Sequence, residues 1–429
     1  MKIILIEPRQ GKKNVYSKIP MPLLGPIYLG TILKEKGHQV EIYNEDIFAP
    51  DYSKLEADLI GISILTVTAN RGYEIAKKFP KEKVIIGGIH ASLLPEEAIQ
   101  YARQVVIGEA ENVIVDIVEG RLTDPIVKGI PVKNLDSLPH PDFSLLKGYK
   151  STSMITPIST SRGCPYDCSF CTVTKLFGRK YRFRSAEDVI AEIKTRKARR
   201  FFFCDDNFTA NLKRTNLLLN LLKKNNVKNW ACQVRCDVAK NDDLLNKMRS
   251  SGCDVVCVGF ESINTKTLEA FNKNQSVDEI IHSIKAFHKR NIKIHGMFVF
   301  GSDYDNQKTI WETLRFAIKQ KIDTIQMMIL TPFPGTQVYD KLQTEKRIFS
   351  RDWSLYDGQN IVYEPLLLSA KDLQNNVANA YSKFYSISRT ILLFATFQFR
   401  NAMFNIMGWS IFKEWKKQYI LHQKISAVK

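Results

Sequence analysis

Three cysteines share one short stretch of the chain, SRGCPYDCSFCTVTK at residues 161–175. Cys164, Cys168 and Cys171 are separated by three and then by two residues, so their thiolates can meet in a single loop. Thiolates bind zinc and iron–sulfur clusters, but a structural zinc site takes four ligands. A cubane iron–sulfur cluster held by three cysteines instead leaves one iron open to a substrate or cofactor.

The other cysteines offer no clear fourth ligand. Cys204, Cys232, Cys253 and Cys257 lie within apolar strand patterns, where a free cysteine behaves as a small hydrophobic side chain. A zinc loop remains the alternative to the cluster. The chain is large and shows no export signal, so a reducing cytoplasm is expected rather than a disulfide framework.

The elements that must position this loop alternate along the second half of the chain. Strand patterns occur at residues 154–159, 200–204, 230–235, 255–260, 292–300 and 324–330. Helical patterns lie between them at residues 186–196, 211–224, 242–250, 277–289 and 307–319. Six such units predict an open or closed barrel of parallel strands, whose chemistry sits at the C-terminal strand ends. Cys164 directly follows the first of these strands, so the loop is expected at the catalytic end.

The first 120 residues alternate in the same way. Strand patterns lie at residues 2–6, 39–43, 58–65, 83–87 and 105–107, and helical patterns at 26–36, 70–79 and 95–102. This order predicts a doubly wound parallel sheet, which binds ligands beyond the carboxyl ends of its strands. Ordinary strand-to-helix turns are the alternative explanation for the small and polar residues there, which include Ser63, Thr66, Gly87, Gly88, His90 and Glu109.

Composition divides the chain into four parts. Residues 123–153 are rich in proline and lack periodicity, which predicts a linker between a first domain at 1–122 and a barrel at 154–345. A helical, basic C-terminal region follows at 346–429. The net charge is +18, while residues 1–122 hold 15 Lys and Arg against 16 Asp and Glu. The excess of positive charge therefore lies in the rest of the chain, where it favours acidic partners. The alternative is that these lysines are solvent-exposed and have no such partner.

The C-terminal region combines basic and apolar residues. Residues 381–429 contain eight Lys and Arg and a single acidic residue, Glu414, while Phe404, Met407 and Ile411 fall at helical spacing. A helix of this composition can lie on an anionic membrane, and packing against its own domain is the alternative. No segment reaches the ~20 apolar residues that span a bilayer.

The segment CPYDCSFC resembles the CxxxCxΦC signature of the radical S-adenosylmethionine enzymes, with Phe170 at the position Φ. The resemblance implies that Cys164, Cys168 and Cys171 hold a [4Fe–4S] cluster. It also implies that the open iron chelates the amino and carboxylate groups of S-adenosylmethionine. One electron from the cluster then yields methionine and a 5′-deoxyadenosyl radical, and the cofactors carry this chemistry.

The resemblance also assigns residues at the other strand ends. Asp205 and Asp206 in FFFCDDNF would meet the amino group of S-adenosylmethionine, and Arg235 would meet its carboxylate. Phe170 would form an apolar wall beside the cofactor. The remaining implied contacts are with the ribose hydroxyls, through Glu261 and Ser262, and with the adenine, through the backbone near Leu330 and Thr331.

The whole order of domains resembles the cobalamin-binding class of this family, over about residues 1–345. The resemblance implies an α/β chain with an N-terminal doubly wound, Rossmann-like sheet, a partial (β/α)6 TIM-type barrel and a mainly helical C-terminal extension. Cobalamin would pack against Ser63, Thr66, Gly87, Gly88, His90 and Glu109. The DxHxxG loop of classical cobalamin domains is absent, so cobalt would lack a lower histidine ligand, and His90 is expected at the corrin edge or in solvent.

The expected reaction is C-methylation of an unactivated carbon, with radical cyclisation or carbon–carbon bond formation on a lipid-like or tetrapyrrole-like substrate as the alternative. No catalytic acid or base is identified. A tRNA methylthiotransferase is disfavoured because the first 163 residues contain no cysteine for a second cluster, and nucleic acid is not an expected partner. A non-enzymatic scaffold protein is the remaining alternative. Expected partners are a small-molecule or lipid-like substrate and an electron donor such as flavodoxin or ferredoxin. The expected location is the cytoplasm, with peripheral contact between the C-terminus and the inner face of the membrane.

Overall fold

The computed structural model describes residues 1–10, 21–152 and 154–426. Two parallel six-stranded sheets follow one another along the chain, and a group of helices follows the second sheet. This arrangement confirms the predicted fold class of a doubly wound sheet, a partial barrel and a helical extension.

The first sheet has the strand order β2-β1-β3-β4-β5-β6, with every pair parallel. Its strands are β1 (Lys2–Glu7), β2 (Gln39–Asn44), β3 (Leu59–Ser63), β4 (Val84–Gly87), β5 (Gln104–Ile107) and β6 (Ile126–Lys128). Its helices are α1 (Leu24–Glu35), α2 (Ala69–Ala76), α3 (Ile89–Leu93), α4 (Pro95–Ala98) and α5 (Ile114–Val118).

Strand β6 lies inside the segment predicted as a linker. Its three residues pair with β5 from Val105↔Ile126 to Ile107↔Lys128. So short a strand has no periodicity of its own to read, and its pairing with β5 places it. The first sheet therefore extends beyond residue 122.

Local sequence explains the regular elements of this sheet. Ile3 to Ile6 are all buried, as expected for a parallel strand covered on both faces. Pro26 lies in the first turn of α1, where a missing N–H costs no hydrogen bond. Gly37, with φ +87°, follows the end of the same helix and adopts the left-handed conformation that suits glycine.

The second sheet has the order β14-β13-β12-β11-β10-β7, again all parallel, with β14 and β7 at its edges. It is thus an open, partial barrel. Its strands are β7 (Thr156–Ile158), β10 (Phe201–Phe203), β11 (Trp230–Val234), β12 (Cys253–Glu261), β13 (Lys293–Phe300) and β14 (Thr324–Ile329). An antiparallel pair, β8 (Ser161–Arg162) and β9 (Arg182–Phe183), brackets the cysteine loop.

Seven helices accompany the barrel strands: α6 (Val173–Phe177), α7 (Ala186–Thr195), α8 (Leu212–Lys224), α9 (Asp242–Ser250), α10 (Thr265–Ala270), α11 (Val277–Lys289) and α12 (Gln307–Lys319). The six predicted strands are all observed, with ends shifted by no more than two residues. Helix α11 begins with a capping box, in which Ser276 and Glu279 each bind the other's backbone N–H. Large buried side chains such as Phe203, Trp230 and Phe298 fill the barrel.

The chain ends in helices α13 (Gln337–Thr344), α14 (Ala370–Phe384), α15 (Ile387–Ala395) and α16 (Phe399–Ser426). Before α14 the chain returns to the first domain, where Asn70 Nδ2 donates to Asp352 Oδ1 at 2.8 Å. Within the described residues, no helix has the length and apolarity needed to cross a bilayer.

Candidate active site

The cysteine loop follows strands β7 and β8 at the carboxyl end of the barrel, where the sequence predicts it. Gly163 opens the loop with φ +85°, and a Cβ there would lie 2.7 Å from the Lys180 carbonyl oxygen, so only glycine fits. The Cys171 N–H donates to the Cys168 carbonyl at 3.1 Å, which folds the last two cysteines into one turn.

Two contacts hold the middle of the loop against the barrel. Ser169 donates from its N–H to the Phe271 carbonyl at 3.1 Å and from its Oγ to the Ala270 carbonyl at 3.0 Å. The Phe170 ring packs edge-on against Phe271, with ring centroids 5.0 Å apart. Phe170 is half-buried and packs the loop against the barrel, and its role as an apolar wall beside the cofactor stays a prediction.

The three thiols are free and half-buried. Burial raises the pKa of Cys171 to about 12 and also raises the pKa of Cys164, so positive charge is needed to hold these groups as thiolates. In the described part of the chain, no group of three or more His, Cys, Asp or Glu side chains surrounds a point that one metal ion would occupy. A cubane spreads its thiolate ligands over separate irons, so each of the three thiols could bind a different iron.

The two neighbouring aspartates after β10 have different roles. The buried Asp205 accepts hydrogen bonds from the N–H groups of Thr160 at 2.7 Å and Ser161 at 2.9 Å, and from the Thr160 hydroxyl. Asp206 instead opens onto a cavity, and desolvation by the surrounding protein together with the adjacent Asp205 raises its pKa to about 6. The prediction that both carboxylates face S-adenosylmethionine needs correction, because Asp205 is occupied in supporting the cysteine loop.

Arg235 lies beside the same loop. Its guanidinium stacks on the Tyr166 ring, 3.7 Å from the centroid, and donates to the Lys273 carbonyl. Its buried Nε has no hydrogen-bond partner. A buried, unsatisfied N–H is costly, so this atom is available to an anionic group of a ligand.

The end of β12 is held by a buried ion pair that the sequence did not reveal. Lys273 Nζ lies 2.6 Å from Glu261 Oε1, and Glu261 has the unusual φ of +59°. Burial lowers the pKa of Lys273, but the negative charges of Glu261 and of Cys168 together raise it by more, so the pKa lies above its usual value. The Glu261 carboxylate is therefore already partnered by a cation at the barrel mouth.

Three further predicted residues lie at the barrel mouth in internal hydrogen bonds. The Ser262 hydroxyl accepts from the Asn264 N–H at 3.0 Å, which commits it to a turn rather than to a free ribose contact. The Leu330 N–H donates to the Phe300 carbonyl at 2.8 Å. The Thr331 hydroxyl donates to the Ile329 carbonyl at 3.2 Å.

A cavity of about 500 Å³ joins the carboxyl ends of the two sheets. From the first sheet it is lined by Ser63, Gly87 and Gly88, and from the barrel by Asp206 and Gln233. Gly88 has φ +97°, and a Cβ there would lie 2.6 Å from the Ile64 carbonyl oxygen. A Cβ on Gly87, in contrast, would lie 3.8 Å from its nearest neighbour, so Gly87 leaves open space in the cavity.

Two predicted residues do not line this cavity. Thr66 is buried in the turn after β3. His90 is fully buried on α3, where its ring packs 5.0 Å from Trp353 and its Nε2 lies 3.3 Å from Glu97 Oε1. The prediction of His90 at the corrin edge or in solvent is therefore wrong, because the returning C-terminal segment covers the ring.

Two family models match the chain in the same order as the two sheets. The B12 binding domain matches residues 17–118, and the Radical SAM superfamily matches residues 158–317. Bacteriochlorophyllide d C-8(2)-methyltransferase of Chlorobaculum tepidum is 30% identical over 380 residues, which covers 81% of this chain and 83% of that protein. The C-12(1)-methyltransferase of the same organism is 28% identical over 408 residues, covering 90% and 87%.

The chain belongs to the radical S-adenosylmethionine enzymes that carry a B12-binding domain. Among solved structures, the radical S-adenosylmethionine methyltransferase TsrM of Kitasatospora setae, with cobalamin and a [4Fe–4S] cluster bound, shares the fold with a TM-score of 0.64. The two proteins are 16% identical, and the match covers 80% of this chain and 78% of that one.

This membership confirms the predicted cofactor set of a [4Fe–4S] cluster, S-adenosylmethionine and cobalamin at the level of the family. The residues present fit these groups. Three half-buried thiols offer the cluster three ligands, the unsatisfied Nε of Arg235 offers an anion partner beside them, and the bare backbone of Gly87 faces a large cavity.

In this radical S-adenosylmethionine enzyme the two domains are joined by a buried ion network around Glu109. Arg162 Nη1 lies 2.8 Å from Glu109 Oε2, Arg182 also binds Glu109, and Arg162 Nη2 lies 2.6 Å from Glu111 Oε1. Burial would raise the pKa of Glu109, but Arg182 and Arg162 hold it below its usual value. Glu109, predicted as a cobalamin contact, lines the cavity while its carboxylate fastens the first sheet to the antiparallel pair.

Sequence reasoning missed Arg162, Arg182 and Lys273. Arg162 directly precedes the cysteine loop, and Lys273 is a lone basic residue after α10. Neither position belongs to a sequence motif from which its ion-pair partner could be predicted. Only the pairing of distant loops shows that these cations neutralise Glu109 and Glu261.

Proposed function

We propose that this enzyme methylates an unactivated carbon of an apolar small molecule, using S-adenosylmethionine and cobalamin. The observation that supports this most is the single cavity between the two sheets, which has Gly87 and Gly88 on one wall and Asp206 and Gln233 on the other. A methyl donor held by the first domain and a radical source held by the barrel would thus face one shared space.

The chain's own residues would bind and orient the reactants. Cys164, Cys168 and Cys171 would hold the cluster, with Phe170 and Phe271 as an apolar wall. Asp206 would accept hydrogen bonds from the amino group of S-adenosylmethionine, and Arg235 Nε would meet its carboxylate.

The remaining contacts would come from the other strand ends. Glu261 would face the ribose while Lys273 holds it in place, and the backbone near Leu330 and Thr331 would face the adenine. On the opposite wall Ser63, Gly87 and Gly88 would contact the corrin, which when bound supplies a transferable methyl group.

The overall reaction balances with two molecules of S-adenosylmethionine and two electrons. One molecule yields methionine and the 5′-deoxyadenosyl radical, which takes a hydrogen atom from the substrate and leaves as 5′-deoxyadenosine. The other supplies the methyl group and leaves as S-adenosylhomocysteine, while the substrate exchanges one C–H bond for a C–CH3 bond. The electrons would come from a low-potential protein donor of the flavodoxin or ferredoxin class.

The substrate we propose is tetrapyrrole-like. The two Chlorobaculum tepidum relatives are methyltransferases of bacteriochlorophyllide d, and they align with this chain over most of their length. On the barrel side the cavity is lined by Leu176, Phe177 and Phe202, which suit a flat, apolar ring. We also propose that the C-terminal region makes peripheral contact with a membrane.

The test is anaerobic turnover with S-adenosylmethionine carrying a deuterated methyl group and a bacteriochlorophyllide as substrate. We expect one labelled methyl group in the product and equal amounts of 5′-deoxyadenosine and S-adenosylhomocysteine, measured by mass spectrometry. 5′-Deoxyadenosine with a product that gains no methyl group would favour cyclisation or carbon–carbon bond formation instead. Absence of both nucleoside products would contradict the reaction.

A variant at Gly87 distinguishes the cobalamin site from the S-adenosylmethionine site. Gly87→Val adds bulk to the cavity from a Cβ whose nearest neighbour is 3.8 Å away, so we expect lost cobalamin binding and methyl transfer but retained 5′-deoxyadenosine formation. Gly87→Ala is the smaller matched control. Equal cobalamin absorbance in the Val variant and the parent protein would contradict the assignment of this wall.

A further inference from the structure

The helices α15 and α16 form a hairpin, and its surface over residues 387–412 is largely apolar. Phe397 at its turn is 80% exposed, Met403 67% and Ile391 63%, and Leu392, Phe394 and Phe399 are also exposed. Residues 387–412 include two arginines and no other charged residue. So large an apolar surface, borne by neighbouring side chains, is a feature of binding sites rather than of ordinary protein surface.

The turn of the hairpin retains a large aromatic residue at a strained position. Helix α15 ends in a Schellman motif, in which the Phe397 N–H donates to the Phe394 carbonyl at 3.0 Å and the Gln398 N–H to the Leu393 carbonyl at 2.8 Å. The residue in the left-handed conformation of this motif is usually glycine, yet here it is Phe397 with φ +56°. An aromatic side chain is thus displayed to solvent where glycine would be more stable.

The hairpin lies at the amino-terminal end of the barrel strands, opposite the cysteine loop. Arg400, next to the turn, pairs with Asp254 at the start of β12. Arg389 Nη2 donates to the carbonyl of Ile322, just before β14, at 3.3 Å. Between α14 and α15, the Tyr385 hydroxyl accepts a hydrogen bond from the Ile325 N–H of β14 at 2.8 Å.

The segments that lead into the barrel strands make this same end basic. Residues 194–200, 223–229, 249–254, 288–293 and 319–323 contain 14 Lys and Arg against two acidic residues, Asp254 and Asp323. Asp254 is paired with Arg400, and the buried Asp323 with Lys293 at 3.0 Å. Exposed cations therefore dominate, among them Lys197, Arg199, Arg200, Lys228, Lys289 and Lys321.

We propose that the amino-terminal end of the barrel docks on an anionic lipid bilayer, with the α15–α16 hairpin inserted into the headgroup region. This inference rests on the membrane contact proposed above and not on the reaction. Aromatic and aliphatic side chains rimmed by cations match an interface whose interior is apolar and whose surface is anionic. The aliphatic Ile391, Leu392 and Met403 favour lipid over nucleic acid, because phosphates and bases offer them no apolar burial.

Docking at this end orients the active site away from the membrane. Asp254 and Glu261 lie at opposite ends of β12, seven residues apart, which corresponds to about 23 Å along a parallel strand. The barrel mouth and the cavity would then stay open to the aqueous side, where an electron donor can approach.

The test is flotation of the purified full-length protein with vesicles of phosphatidylcholine, with and without phosphatidylglycerol, at low and high salt. The hairpin variant is Phe397→Gly, Ile391→Gln and Met403→Gln, and its control changes Phe349, Leu366 and Leu367, which are similarly exposed elsewhere, to Gln. The charge variant is Arg199→Glu, Lys228→Glu and Lys289→Glu, and its control makes the same change at Lys36, Lys128 and Lys133 of the first domain.

We expect parent protein to float with anionic vesicles, and the hairpin and charge variants to bind at least about tenfold less, with both controls unchanged. Absence of flotation by the parent protein would overturn the membrane contact itself. Flotation that the hairpin variant leaves intact would overturn only the choice of face. Two further measurements test other occupants of this surface. Self-association that depends on these residues, measured by sedimentation velocity, would identify a second copy of the chain as the partner instead of lipid. RNA binding that depends on them, measured by filter binding, would identify nucleic acid instead. Unchanged 5′-deoxyadenosine formation by both variants separates these outcomes from the proposed reaction.

Discussion

The two ends of the barrel are built from the same six strands but differ in what they display. At the carboxyl ends, Asp205 and Asp206 follow β10, Glu261 is the last residue of β12, and the cysteine loop lies nearby. At the amino ends, the connecting segments carry an excess of Lys and Arg, and an apolar hairpin covers part of the surface. The sheet thus separates an end that gathers the cysteine loop and several carboxylates from an end that is basic and apolar.

The difference shows how a parallel barrel can divide chemistry from docking. Every strand points the same way, so all loops that follow strands meet at one end and all loops that precede strands meet at the other. Changes at one end then need not disturb the other. Variants at the two ends test this separation, because a change at the carboxyl end should leave vesicle binding intact and a change at the amino end should leave 5′-deoxyadenosine formation intact.

The largest effect is expected from the cysteine loop. Cys168→Ala removes one of the three proposed cluster ligands, so iron content and 5′-deoxyadenosine formation should fall at least about a hundredfold. Cys257→Ala, in the barrel wall, is the matched control and should keep both. Vesicle flotation by the Cys168 variant should equal that of parent protein, and its loss would contradict the separation of the two ends.

The next effect is expected from the bridge between the first sheet and the barrel mouth. Arg182→Ala leaves the buried Glu109 with one cation fewer, which should lower the free energy of unfolding by about 3 kcal/mol. Thermal or denaturant unfolding measures this loss. Arg121→Ala, which removes an exposed ion pair in the same domain, should leave the unfolding curve unchanged. Equal curves for all three proteins would show that the bridge is not stabilising.

A smaller, pH-dependent effect is expected from Asp206. Its pKa of about 6 lies above that of a free aspartate, so the carboxylate is ionised only as the pH rises through this value. A hydrogen bond from the amino group of S-adenosylmethionine to the ionised carboxylate should therefore make binding tighter as the pH rises, by up to about tenfold per unit below pH 6, and this gain should level off above pH 6. Equilibrium dialysis from pH 5 to 7.5 checks this, and Asp206→Asn should abolish the dependence.

The smallest effect concerns the hairpin at the other end. Phe397→Gly replaces a left-handed phenylalanine by the residue this conformation prefers, so the free energy of unfolding should rise by about 1 kcal/mol. Vesicle binding should fall in the same variant, which reverses the usual relation between lost function and lost stability. A variant that is destabilised, or that binds vesicles as before, would contradict the role given to Phe397.

Much of the architecture could be read from periodicity. Helices α9, α11 and α12 begin and end at the predicted residues, since each has a regular apolar face and clear boundary residues such as the Ser276 cap. The loop of Cys164, Cys168 and Cys171 was equally clear, because all its ligands lie close together in sequence. Because the loop directly follows a predicted barrel strand, that strand alone predicted its position at the carboxyl end of the barrel.

Other features had no local signal. Strand β6 and the β8–β9 pair are two or three residues long, so their pairing partners rather than their own sequence make them strands. His90 was assigned to cobalamin because it follows a glycine-rich strand end, but Trp353, from the far end of the chain, covers it. Asp205 and Asp206 are adjacent in sequence but differ in role. The Thr160 and Ser161 N–H groups lie where they donate to Asp205, which supports the cysteine loop, while Asp206 lines the cavity.

The sequence by itself determined the two parallel sheets, the three-cysteine loop and the family to which they belong, because strand alternation and ligand spacing are local properties of the chain. The tertiary structure decided which polar groups remain open to a ligand. That choice depends on partners distant in sequence, such as Arg182 for Glu109 and Lys273 for Glu261, since a buried charge must be neutralised by whatever the fold places beside it.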